Sequence, residues 1–86
     1  MNGKPIELHP HARERANERG ATESEVMATD LAGQRSPARL GRSAFRRNFS
    51  FGGMWRGKQY ATKQIDAVAV EEDHRWLVIT VLVKYF

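Results

Sequence analysis

The spacing of apolar and polar positions divides the chain into a helical first third and a strand-forming remainder. Pro10 suits the first turn of a helix, where its missing N–H costs nothing. That helix runs to about Glu18 or Arg19 and stops at Gly20, a natural residue just past a helix end. Thr22-Glu23-Ser24-Glu25 reads as a capping box, with the Thr22 hydroxyl accepting the Glu25 N–H and the Glu25 carboxylate reaching back. A second helix follows through Val26, Met27 and Leu31 and ends near Gly33. A short strand is expected at Ile6 to Leu8, and Ser36-Pro37 opens a loop or irregular strand towards Gly41.

From Ser43 the period is two. Phe45, Phe49 and Phe51 share one side, while Arg46, Asn48 and Ser50 take the other, the pattern of a half-buried strand. Gly52-Gly53 is the expected turn. Residues 58–70 and 75–86 then form a long hairpin around Glu71-Glu72-Asp73-His74. In its last arm Leu77, Ile79, Val81 and Val83 form an apolar side, with Val78, Thr80, Leu82 and Lys84 opposite. The expected fold is α+β: two N-terminal helices packed on one face of a three- to five-stranded antiparallel sheet. The 86 residues make a single domain spanning 1–86. The most apolar strand runs to the last residue, which suggests the tip of a longer polypeptide.

Charge adds a direction to this layout. Fourteen Lys and Arg stand against ten Asp and Glu, for a net charge of +4. No acid falls between Asp30 and Asp66, whereas Arg35, Arg39, Arg42, Arg46, Arg47, Arg56, Lys58 and Lys63 all do. That separation gives the molecule a basic side, which favours a polyanion. Cysteine is absent, so disulfides and thiolate metal sites are excluded. No apolar run approaches the ~18–20 residues that span a bilayer, and no signal-like segment opens the chain.

The candidate chemistry lies at both ends. His11, Arg15 and Arg19 are four residues apart, so on a helix they share a stripe of roughly 80°. Histidine exchanges protons near neutral pH, and Arg is a fixed cation that matches phosphate oxygens. The same arginines could instead pair with Glu14, Glu18 or Glu23. His9-x-His11 is a weak metal signal without a third ligand nearby. Thr80 interrupts an otherwise apolar strand. A four-residue loop at Glu71–His74 sets Lys63 diagonally beside Thr80, and an odd loop length sets Gln64 and Asp66 there instead. Trp55, Tyr60, Trp76 and Tyr85 could stack on bases or fill a small core, the core being the better reading for Trp76. Gly52-Gly53 lacks the sequence context of a phosphate loop.

The opening His11-Ala-x-x-Arg15-x-x-x-Arg19-Gly20-Ala21-Thr22-x-x-Glu25-Val26 resembles that of small bacterial ribonuclease domains of the barnase, EndoU, colicin and RelE-like group. The ending, from Lys63-Gln64-Ile65 through Trp76-Leu77-Val78-Ile79-Thr80-Val81 to Tyr85-Phe86, is similar to their closing hairpin, in particular to the C-terminal toxin tips of contact-dependent inhibition proteins. Residues 34–56 share only their basic character, and Ala21 stands where an Ile is usual. The resemblance implies a metal-independent, cofactor-free endoribonuclease whose catalytic residues fall on His11, Arg15 and Thr80. Arg19, Arg46, Lys63 and Tyr85 are the expected substrate-binding residues. RNA, tRNA foremost, is the implied substrate. An acidic immunity protein or antitoxin is the implied partner of a monomer acting in the bacterial cytoplasm. No second histidine is placed for a two-histidine mechanism, because His74 lies in a turn. A non-catalytic RNA- or ribosome-binding module and a protein-interaction domain are the competing readings.

Overall fold

A computed structural model describes residues 4–86. The elements are β1 (Ile6–Leu8), α1 (Pro10–Glu18), α2 (Glu23–Ala32), β2 (Gln34–Pro37), a 3₁₀ turn (Arg39–Gly41), β3 (Ser43–Trp55), β4 (Lys58–Glu71) and β5 (Trp76–Tyr85). The strands form one sheet in the order β1-β5-β4-β3-β2. The architecture is α+β, with both helices preceding the long strands.

Local signals set the helices. Pro10 occupies the first turn of α1, and the His9 Nδ1 accepts the His11 N–H at 3.1 Å as the cap. Gly20 follows the helix end at φ +80°, and a Cβ there would lie 2.5 Å from the Tyr85 hydroxyl and 2.6 Å from the Trp55 ring. Only glycine lets the chain turn this close to the sheet. Both bonds of the Thr22–Glu25 capping box are present, at 3.1 and 2.9 Å.

The sheet is mixed rather than wholly antiparallel, because β1 lies parallel to β5. Topology explains the direction. The chain leaves β1 directly into α1, which continues the same way along β5: His9 N–H donates to the Val78 carbonyl, and Arg19 reaches that of Val81. An antiparallel β1 would launch α1 off the wrong end of the sheet.

Two other expectations give way to irregularities in the ladder. Gly52-Gly53 is not a turn. The β3–β4 register shifts between Ser50 and Gly53, and β3 runs on to Trp55. The hairpin turns instead at Arg56-Gly57, where φ is +52° and +82°. Two positive φ values in a two-residue connection match the twist of the flanking strands. The β4–β5 loop is four residues long but spans Glu72–Arg75, since Glu71 pairs with Trp76. Ile79 then drops out of the ladder: Ala69 faces Val78, while Val68 faces Thr80. This bulge reverses the alternation, so Trp76 and Val78 on one side of it and Val81 beyond it are all buried.

The core lies between the helices and one face of the sheet. Ala12 and Ala16 of α1 and Val26 of α2 meet Phe45, Ile65, Ala67, Val78 and Val81. Trp76 is a core residue, 5.5 Å edge-to-face from Phe45. The opposite face of the sheet, where Arg46, Asp66, Val68 and Leu82 line a groove, is not covered by a helix.

Candidate functional site

Two of the three stripe residues, His11 and Arg15, meet on α1 as the i, i+4 spacing requires, whereas Arg19 is the residue that ends the helix and turns to β5. Ala12 and Ala16 turn into the core, which leaves His11 exposed and Arg15 half-exposed beside them. Arg15 Nε donates to His11 Nε2 at 3.4 Å, and Arg15 Nη1 reaches Glu18 at 3.3 Å. An imidazole nitrogen thus faces a guanidinium at the protein surface, while the guanidinium is only partly satisfied by a neighbouring carboxylate. On the other flank of α1, Arg13 pairs with Glu23 at 2.8 Å beside a groove of about 650 Å³.

Thr80 lies on β5 opposite Val68, on the helix-free face. Its strand is an edge beyond Val78, where β1 pairing ends. His11 and Thr80 are each two residues, at most about 7 Å of chain, from the His9–Val78 hydrogen bond. They do not share a face of the sheet: His11 is carried by the helix that covers the inner face, and Thr80 lies on the helix-free one. None of the three principal grooves takes in His11, Arg15 or Thr80.

The four residues expected to bind substrate are engaged by the protein itself. Arg19 Nη1 donates to the Val81 carbonyl, on the outward side of β5. Lys63 is not beside Thr80: the register places it opposite Tyr85 on the inner face, 6% exposed. Its ammonium donates to the Gly20 carbonyl at 2.8 Å and to both Glu25 carboxylate oxygens at 3.0 and 3.2 Å. Asp66, the alternative neighbour, lies two residues from Val68 along the Thr80 face. Arg46 stands on that face too, and Asp66 accepts from it through both oxygens at 2.7 and 3.0 Å. Tyr85 stacks on Trp55 at 4.9 Å, and its hydroxyl donates to the Arg19 carbonyl at 2.8 Å.

Two ionisable groups here are shifted by these surroundings. Burial would raise the Glu25 carboxyl, but the Thr22 N–H and the Lys63 ammonium outweigh it and hold it below the usual carboxylate range. Burial, together with the charge of Glu25, pushes the Tyr85 phenol up.

Two features escaped the sequence reading. Asp30 is 3% exposed on the inner side of α2, and both its carboxylate oxygens lack a hydrogen-bond partner among the described residues. Burial raises it to about 6, against the opposing charge of Arg35. Its signal was available: Asp30 follows Val26 by four residues, the spacing of one helix face. The other feature is the 3₁₀ turn, where Leu40 is 86% exposed between Arg39 and Arg42. Among the described residues no group of three His, Asp or Glu side chains could hold a metal ion. No helix there is long and apolar enough to cross a membrane.

Fold and site define an α+β domain that carries an exposed His–Arg pair beside an open strand edge. Compared with known proteins, the chain matches no protein family, no curated protein and no solved structure.

Proposed function

We propose that this domain is a metal-independent endoribonuclease of the bacterial toxin type, cleaving RNA, tRNA foremost, at the His11 edge of α1. The observation that carries the reading is the 3.4 Å meeting of His11 Nε2 and Arg15 Nε on an exposed helix face. It joins a proton-exchanging group to a phosphate-binding one, in a molecule whose middle is free of acids from 31 to 65.

In the proposed reaction the ribose 2′-oxygen bonds to the adjacent phosphorus and the P–O5′ bond breaks. The 2′-hydroxyl loses its proton, and the departing 5′-oxygen gains one. His11 performs one of these transfers, and Arg15 holds the charge gathering on the phosphate oxygens. Thr80, reached around the β5 edge, donates a hydrogen bond to the strand being cut. Arg19, Lys63 and Tyr85 act as supports rather than substrate contacts, because each is taken up by a bond within the domain. A toxin of this kind acts in the cytoplasm of a bacterium, delivered there or made there. It calls for a small acidic immunity protein or antitoxin to cover the basic side.

Purified protein incubated with total tRNA in EDTA tests the proposal. Fragments ending in 2′,3′-cyclic phosphate are expected, and His11→Ala should slow their formation by ~10²–10⁴ while leaving the fold intact by circular dichroism. Thr80→Ala should likewise slow cutting and relieve growth arrest on expression in bacteria. RNA that stays intact with the wild-type protein would refute the enzyme.

Bound but uncut RNA is the signature of a second reading, a non-catalytic RNA-binding module. The absence of His11 and Thr80 from the three grooves described above favours that reading.

A further inference from the structure

The five arginines of residues 34–47 have unequal surroundings. Arg46 is neutralised by Asp66, and Arg47 lies over the Phe49 ring at 5.1 Å. Arg35 lies 5.1 Å from the Trp76 ring and donates to the Ser43 hydroxyl at 3.2 Å. The side chains of Arg39 and Arg42 make no ion pair, hydrogen bond or ring contact among the described residues. They flank the tip of the 3₁₀ turn, which closes through Ala38 N–H to the Arg42 carbonyl at 2.9 Å.

At that tip stands Leu40, 86% exposed, with φ 60° and ψ 36°. A leucine in the left-handed region is strained, and here burial does not compensate it. Glycine would hold the same backbone freely. Beneath the tip lies a groove of about 500 Å³ lined by Arg35, Ser36, Arg42 and Ser43, within the range of sites that hold small ligands. A strained apolar apex, two unneutralised cations and a hydroxyl-lined groove thus share one turn.

We propose that this turn is a second RNA-docking site, at the β2 edge of the sheet and separate from the His11 edge. It rests on the ribonucleic-acid reading given above. Arg39 and Arg42 hold backbone phosphates, which the guanidinium fork matches, and Leu40 packs against the face of an unstacked base, as apolar wedges do. The acid-free run from 31 to 65 argues for a polyanion here rather than a peptide of mixed charge. β2 and β5 are three strand spacings apart, about 14 Å. One RNA reaching across the sheet therefore touches both edges only if it is several nucleotides long.

The test uses fluorescently labelled tRNA, its binding followed by anisotropy in EDTA in a His11→Ala background. Arg42→Ala should weaken binding about tenfold and flatten the salt dependence by about one phosphate contact. Leu40→Gly should also weaken binding about tenfold, yet raise Tm, because it relieves the strained backbone. With His11 restored, both variants should raise KM for tRNA and leave cleavage of a dinucleoside monophosphate unchanged. Leu40→Gly with raised Tm and undiminished affinity would overturn the docking site, as would an unchanged salt dependence in Arg42→Ala. Those results would leave the nuclease standing. A His11-intact protein that neither binds nor cuts RNA would overturn both.

Discussion

Asp30 is a carboxylate turned into the core with no hydrogen bond on either oxygen among the described residues, and it makes stability depend on pH in an unusual direction. Its carboxyl ionises at about 6 in the folded chain, because burial disfavours the charge more than Arg35 relieves it. In the unfolded chain an Asp ionises near ~3.9. Between those values the folded state holds a proton that the unfolded state has lost, so stability falls as pH rises through this window. A difference of about two pH units corresponds to about 3 kcal/mol, fully felt above pH 6 and absent below pH 4. Asp30→Asn should therefore raise stability at pH 7 by about 1–3 kcal/mol and change it little at pH 4. Denaturant unfolding at the two pH values checks this, and an equal effect at both would refute it. At this scale the His11–Arg15 pair was legible from spacing alone, since i and i+4 meet on any helix. The isolation of Asp30 was not, because it depends on which groups of β3 and β4, the strands that α2 packs on, arrive from far along the chain.

Among the elements, the α1–α2 corner is fastened to the sheet by a single buried cation. Lys63 of β4 holds the Gly20 carbonyl at the end of α1 and the Glu25 carboxylate in the first turn of α2. Glu25 serves the capping box at the same time. Lys63→Met should cost about 2–4 kcal/mol, because it leaves the Gly20 carbonyl unpaired and the Glu25 carboxylate without its counter-charge beside the core. Adding Glu25→Gln should cost less than the sum of the two single changes, a coupling that a double-mutant cycle measures. Additive losses would show that the brace does not act as a unit. The helices themselves were readable from Pro10, Gly20 and the Thr22–Glu25 box, all signals acting within a few residues. Strand register was not. The Ile79 bulge and the Ser50–Gly53 shift each alter parity downstream, and neither leaves a signature in alternation. The Ile79 bulge, with a β4–β5 loop one residue later than expected, is why Lys63, expected beside Thr80, is an internal brace.

Over the whole molecule, one-sided packing and uneven charge act together. Both helices cover one face of the sheet, while the β2 end carries arginines without carboxylate partners and the β5 end carries the His–Arg pair. Fold class and basic middle were apparent from composition and period. The parallel seating of β1 was not, since a three-residue strand carries no directional signal. The outer side of β5 has a consequence of its own. Phe86 and Thr62 exchange both backbone bonds, so in the alternating ladder Val81, Val83 and Tyr85 turn theirs outward. Arg19, whose guanidinium covers the Val81 carbonyl, is then a guard against self-association. Arg19→Ala should let two molecules zip together along this bare selvedge, seen in light scattering as concentration-dependent dimers or fibrils, whereas a variant that stays monomeric would refute the guard. A guanidinium that looks, from its place in the sequence, like a grip on someone else's phosphate would thereby earn its keep by preventing the molecule from recognising itself.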